Sequence, residues 1–184
     1  DTPIVITEKL LNIKISGEDY ISHDGISTGS EINYTGSDFC FTLAKGGLRY
    51  TIEKLRIECN NASSGINCMG VQNSTLNFKN YLNDIYVVHA IIGMKVTSAT
   101  YTFINNYTFG GSSNTQIGLL IEGYEFTYVN NSSIDGYNTT DQNSIGLKVN
   151  GGLNHYYNNI DIANFGKGKA IYLTDSYREL YTVY

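Results

Sequence analysis

Hydrophobic and polar residues alternate along short stretches of the chain, and these stretches recur at a nearly constant spacing. The residue two positions before each recurring aliphatic anchor is also apolar, and the residue three positions before it is small or nearly so. Alternation of this kind predicts short β-strands with one buried face, and a repeat of this length predicts a solenoid. The anchors recur every 24 to 28 residues, at Ile15, Leu43, Val71, Val96, Ile121, Val149 and Leu173.

The repeat predicts an all-β protein, a right-handed parallel β-helix of about seven coils of 24–28 residues with three short strands per coil. One coil cannot bury its apolar face alone, so successive coils share a continuous core. Residues 1–36 are less regular and are expected to form an N-terminal cap and the first coil. Residues 37–184 are expected to form the β-helix, which is expected to continue beyond the last residue.

Two further columns follow the anchors. The first, seven positions after the anchor, contains Tyr50, Phe78, Phe103, Tyr128, Tyr156 and Leu180. The second, nine positions after, contains Asn80, Asn105, Asn130 and Asn158, whose amides are predicted to point inward and bond between coils. The apolar residues between these columns, Ile104, Val129 and Tyr157, are then predicted to face outward. An apolar stripe on a polar surface predicts a contact face between subunits.

Composition and charge exclude several function classes. The chain has 19 glycines and 16 tyrosines but one proline and no tryptophan, which is typical of strands and turns. A net charge of −5 without a basic run argues against nucleic-acid binding. No apolar stretch is long enough to span a membrane. No metal or other cofactor is expected, because the cysteine and histidine spacing fits no zinc-site template.

Cys40 and Cys68 stand in the same predicted column on adjacent coils, close enough for a disulfide. Glycine takes this column in later coils, so the column requires a small residue rather than a cross-link. We therefore predict free, partly buried thiols.

The coil length, the small-residue column and the asparagine column resemble the right-handed parallel β-helix of pectin-lyase-like proteins, and among them the tailspikes and host-binding appendages of bacteriophages. The resemblance implies an extracellular homotrimer of the virion that binds, and in some members cleaves, a bacterial surface polysaccharide. No calcium-binding aspartate cluster like that of the pectate lyases is present in the sequence. The predicted function is structural and receptor-binding. A polysaccharide depolymerase, either hydrolase or lyase, and a secreted bacterial β-helical adhesin are the alternatives.

One group of acidic residues gathers on successive predicted coils. The candidate catalytic residues are Glu122, Glu125, His155, Asp175 and Glu179, and the candidate glycan-binding residues are Tyr124 and Tyr177. Glycoside hydrolysis uses two carboxyl groups, and Glu125 and Glu179 are the candidate pair, with Glu179 stacked on an outward His155. The alternative interpretation is that these are ordinary polar surface positions without a catalytic role.

Overall fold

The computed structural model shows an all-β chain. It describes residues 2–6, 12–18, 29–43, 49–59, 69–74, 79–97, 101–111, 115–122, 126–137, 139–151, 153–174 and 178–181. The strands are β1 (Ile4–Ile6), β2 (Ile13–Ser16), β3 (Glu31–Tyr34), β4 (Phe39–Leu43), β5 (Tyr50–Cys59), β6 (Met69–Ser74), β7 (Asn80–Val88), β8 (Ile92–Thr97), β9 (Tyr101–Asn105), β10 (Thr108–Gly110), β11 (Ile117–Glu122), β12 (Phe126–Asp135), β13 (Ile145–Asn150), β14 (Leu153–Ala163), β15 (Lys169–Thr174) and β16 (Arg178–Tyr181).

The strands stack in two parallel sheets that run along the solenoid. Within the described residues the first sheet has seven strands, in the order β1, β4, β6, β8, β11, β13, β15. The second has nine, in the order β16, β14, β12, β10, β7, β5, β2, with β3 beside β5 and β9 between β7 and β12. In the first sheet Leu119 pairs with Met94 on one side and Leu147 on the other. This parallel, in-register stacking confirms the predicted β-solenoid.

The number of coils differs from the prediction. The structure supports about four turns rather than seven. At the two ends of the described chain the strands are short, since β1 has three residues and β16 has four. Ile171 and Leu173 on β15 also remain 47% and 39% exposed, although they continue the inward column of β13. The handedness of the coil and the division at residue 36 stay predictions.

The register of the first sheet corrects two predicted anchors. Leu43 pairs with Ile6 and Asn73, so Ile15 and Val71 do not belong to the anchor column. Ile15 lies in the second sheet instead, on β2. Constant spacing along the chain fails here because loops of different length separate the strands of the early coils.

The small-residue column of the first sheet is real, and it requires small residues for steric reasons. A Cβ atom on Gly118 would lie 2.3 Å from Cγ2 of Ile134 and 2.9 Å from the carbonyl oxygen of Gly146. Cys40 faces Gly70, because it lies between the pairs Phe39–Met69 and Phe41–Val71. It therefore does not stack on Cys68, which lies outside the described residues. Cys40 and Cys59 are buried in the core rather than partly exposed, and they form no disulfide bond with each other.

On β9, β12 and β14 of the second sheet the inward and outward faces are opposite to the prediction, whereas Tyr50 on β5 and Asn80 on β7 are buried as predicted. Ile104, Val129 and Tyr157 are inside the core, at 0%, 0% and 5% exposure. Their neighbours Phe103, Tyr128 and Tyr156 are partly exposed on the outer face. Two adjacent apolar or aromatic residues in each coil make the alternation ambiguous, and the second of the two is the one inside the core. The predicted outer stripe is therefore wrong, and it no longer supports a homotrimer.

Candidate functional site

Each regular coil has, between two strand segments of the second sheet, a bend at a residue with a left-handed backbone. These residues are Lys54, Asp84, Asn106, Asn131 and Asn159, with φ between 48° and 57°. In β5, β7, β12 and β14 the strand continues through the bend, so two predicted strands of a coil form one element. Asparagine and aspartate tolerate this conformation better than most residues, which explains why they occupy the bend in four of the five coils.

The side chains at the bend bond from coil to coil. Nδ2 of Asn106 donates to Oδ1 of Asp84 at 2.8 Å, and Nδ2 of Asn159 donates to Oδ1 of Asn131 at 2.9 Å. These bonds fix the rotation of each amide at the surface. The bend therefore presents an ordered row of polar side chains.

A second asparagine ladder precedes the bend by one residue. Nδ2 of Asn105 donates to Asn83 at 2.8 Å, and Nδ2 of Asn130 donates to Asn105 at 2.9 Å. The predicted bonding between coils is confirmed for Asn105 and Asn130, but these residues lie on the outer face, not inside. The member of this ladder on β7 is Asn83, because Asn80 is buried, as predicted, and pairs with Tyr50 and Thr102.

Beside this ladder, aromatic rings stack along the outer face of four coils. The rings of Tyr81, Phe103, Tyr128 and Tyr156 follow one another at centroid distances of 5.1, 4.9 and 4.8 Å. The guanidinium of Arg49 lies 5.9 Å from the centroid of Tyr81. Each inner ring has a neighbour on both faces, so only its edge meets solvent. The stacked rings therefore stabilise the fold, at about 0.5–1.5 kcal/mol per ring pair, rather than offering ring faces to a sugar.

On the other side of the bend lies an open groove of about 320 Å³ that crosses three coils. It is lined by Asn106, Thr108, Asn131, Ser132, Ser133, Asn159 and Asp161. Thr108, Ser133 and Asp161 face one another in register on β10, β12 and β14. Hydroxyl, amide and carboxylate groups together can donate to and accept from the hydroxyl groups of a sugar. The groove is therefore our candidate binding site.

Of the predicted catalytic cluster, Glu122 is the acid whose side chain the structure describes. Lys95 Nζ lies 2.8 Å from Oε2 of Glu122, and Nδ2 of Asn150 donates to Oε1 at 3.2 Å. Partial burial raises the pKa of Glu122, but these hydrogen bonds and the lysine charge outweigh it and hold the pKa below its usual value. A general acid needs a raised pKa, so Glu122 does not suit that role.

His155 lies on the opposite side of the strand from its predicted position. The predicted pairing of His155 with Glu179 is confirmed for the backbone of β14 and β16. The His155 side chain, however, is 0% exposed and its Nε2 lies 3.3 Å from the carbonyl oxygen of Gly151. It continues the inward column of Thr102 and Thr127, so it cannot reach a bound sugar.

The remaining members of the predicted cluster are not described at side-chain level. Tyr124, Glu125, Asp175 and Tyr177 lie outside the described residues, and only the backbone of Glu179 is described. Their catalytic and glycan-binding roles stay predictions.

The groove residues could have been found from the sequence. Thr108, Ser133 and Asp161 each stand two positions after the second asparagine of an Asn-Asn pair, in three consecutive coils. The pairs mark the bend, and the fixed offset places the polar residues on the same outer face beyond it. The prediction missed them because it followed the acidic residues instead.

A separate charged cluster lies on β3, on the second half of β5 and directly after β7. Arg56 contacts both Glu31, with Nε 3.3 Å from Oε2, and Glu58, with NH2 3.0 Å from Oε2. Nδ1 of His89 lies 2.5 Å from Oε1 of Glu58. The hydrogen bond to Glu58 raises the pKa of His89 despite its partial burial. Burial raises the pKa of Glu58, but the bonds from His89 and Arg56 dominate and lower it.

The raised pKa of His89 makes part of the stability depend on pH. Its contribution is complete below the unfolded value of 6.5 and is lost as pH rises through the higher folded value. His89→Asn, which tolerates the φ of 57° at this position, should lower the melting temperature at pH 6. The difference in melting temperature from the parent should shrink as the pH is raised to about 9. The corresponding difference in the free energy of unfolding is about 1 kcal/mol or less, because the His89 side chain is half exposed. Thermal denaturation across this pH range measures it, and a difference that stays constant would contradict the assignment.

Among the described residues no group of three or more His, Cys, Asp or Glu side chains is arranged to hold a metal ion. The described part of the chain also contains no helix long and apolar enough to cross a membrane. Comparison of the chain with protein-family models, with curated proteins and with solved structures gives no match.

Proposed function

We propose that the solenoid is a glycan-binding segment and that the groove beside the bend is its binding site. The observation that carries this proposal is the alignment of Thr108, Ser133 and Asp161 on three consecutive coils, flanked by ordered asparagine amides. Repetition of hydrogen-bonding groups along a straight groove suits a ligand that is itself a repeating chain. A bacterial surface polysaccharide bound by a phage tailspike or appendage is the ligand and setting that the sequence resemblance implies.

Binding is favoured over cleavage by the content of the groove. Glycoside hydrolysis uses two carboxyl groups on either side of the scissile bond. Of the residues that line the groove, Asp161 alone carries a carboxylate. A depolymerase remains the alternative that Glu125, Asp175 and Glu179 motivate.

The homotrimer and the virion location belong to the proposal through the resemblance alone. A secreted adhesin would use the same groove and is the third candidate. The sequence flanking this solenoid in the gene distinguishes the two settings, because an adhesin carries a secretion signal and further passenger repeats.

Replacement of groove hydroxyls should weaken binding without unfolding the chain. Thr108→Val and Ser133→Ala each remove a hydroxyl at the partly exposed groove surface. Each should lower the affinity by about twofold to tenfold, because a neutral hydrogen bond contributes about 0.5–1.5 kcal/mol. Affinity is measured by titration against the strongest binder from an array of purified capsular and O-antigen polysaccharides.

Gln142→Ala, an exposed residue on the turn between β12 and β13, is the matched control and should leave the affinity unchanged. The proposal is overturned if the parent binds no polysaccharide of the array. It is also overturned if the two groove variants bind as tightly as the control.

A further inference from the structure

We infer that the groove selects glycans that carry free, protonated amino groups, and that Asp161 is the residue that sets this specificity. The inference rests on the proposed function and names the ligand class of the same site. It follows from the charge of the groove, from the carboxylates around it and from the orientation of its amides.

The groove has a negative charge and no positive one among its lining residues. Asp161 is exposed and forms no ion pair with a described residue. No lysine, arginine or histidine is among the seven lining residues. A ligand ammonium group would therefore find an unneutralised carboxylate, whereas a uronate would meet a like charge.

Two further carboxylates adjoin the groove. Asp84 accepts a hydrogen bond from Asn106 at its edge, at 2.8 Å. Asp135 lies on the same strand as Ser133 and accepts from Nδ2 of Asn164 at 3.1 and 3.2 Å. Asp84 is one rung from Asn106, and Asp135 is two strand residues from Ser133, which are backbone spacings of about 4.8 and 7 Å. These spacings are shorter than the screening length of about 10 Å in 0.1 M salt, so both charges add to the attraction for a cation.

The side-chain amides at the bend are oriented so that two of their carbonyl oxygens can accept hydrogen bonds from a ligand. Nδ2 of Asn106 and Nδ2 of Asn159 donate along the ladder to the neighbouring coil. Their carbonyl oxygens accept no hydrogen bond from a described residue. An ammonium group has three donors and no acceptor, so it matches a site that combines a carboxylate with amide and hydroxyl oxygens.

The experiment compares oligosaccharides that differ only in N-acetylation. Glucosamine and galactosamine hexamers are titrated against their N-acetylated counterparts, with a galacturonate hexamer as the anionic member. The parent should bind at least one amine-bearing hexamer about tenfold or more tightly than its N-acetylated form. This preference should shrink as salt is raised from 20 to about 300 mM, because the attraction is electrostatic.

Asp161→Asn keeps the shape of the side chain and should abolish the preference while leaving binding of the N-acetylated hexamer or of an array polysaccharide. Glu18→Gln, at an exposed position two residues after β2, removes the same charge elsewhere and should keep the preference. An equal affinity for the amine-bearing and N-acetylated forms, or a preference that survives Asp161→Asn, overturns the inference but leaves the proposed function standing. Absence of binding to every hexamer and to the polysaccharide array overturns both.

Discussion

Ile121→Asp is expected to prevent the chain from folding, whereas Ile121→Val is expected to be tolerated. Ile121 is 0% exposed and pairs with Val96 and Val149 in the first sheet. An unpaired carboxylate buried there costs several kcal/mol at least, and the lost interactions extend to the coils on both sides. Removal of one methylene group costs about 0.5–1.5 kcal/mol.

Thermal denaturation followed by circular dichroism, together with resistance to proteolysis, measures both Ile121 variants. The valine variant should retain a cooperative transition a few degrees below that of the parent. The aspartate variant should be digested rapidly at room temperature. Similar melting temperatures for the two variants would show that Ile121 does not face the core.

Val129→Asp is expected to unfold the chain, whereas Tyr128→Asp one residue earlier is expected to leave it folded. Val129 is 0% exposed, between Ile104 and Tyr157. Tyr128 is on the outer face and stacks on Phe103 and Tyr156 at 4.9 and 4.8 Å. Loss of these two stacking contacts removes about 1–3 kcal/mol, but the new carboxylate remains in water.

The same denaturation and proteolysis measurements distinguish the Tyr128 and Val129 variants. The outcome decides which residues of these coils face the core, because the sequence pattern fits either assignment and the prediction chose the opposite one. A folded Val129→Asp variant together with an unfolded Tyr128→Asp variant would restore the predicted outer stripe.

The fold could be predicted because each coil of a solenoid repeats the same pattern of apolar and small residues. The anchors Val96, Ile121 and Val149 stack as the spacing predicts, and the small-residue column beside them is required by sterics. The prediction failed at Ile15 and Val71, where loop lengths change within the coil. A count of residues along the chain cannot detect such a change, since it measures the sum of strand and loop.

The faces of the second sheet could not be predicted, for a different reason. Pairs such as Tyr128-Val129 place two apolar residues side by side, so period-two alternation fits either phase. In the structure the aromatic residues take the outer face, because rings that stack on one another bury much of their apolar surface there. His155 shows the same limit, because nothing in its neighbourhood distinguishes a polar inward column from a polar outward one.

The candidate site was missed because its residues carry little chemical signal by themselves. Thr108 and Ser133 are ordinary residues, and Asp161 has no acidic partner in the groove. They become a site through the left-handed bend, which aligns them across three coils. The sequence marks the bend by paired asparagines, whereas the prediction searched for paired acids.

The stacking of coils also determines how many hydrogen-bond ladders each strand must break to open locally. The central strands of each sheet are hydrogen-bonded to a neighbour on both sides, whereas β1 and β15 are hydrogen-bonded on one side within the described first sheet. Local opening of β1 or β15 in this segment breaks one ladder of hydrogen bonds, whereas opening of a central strand breaks two. The groove lies on β10, β12 and β14, of which β10 and β12 are interior rungs. Most of the groove therefore keeps its shape when β1 or β15 opens, and a bound polysaccharide can stay in place.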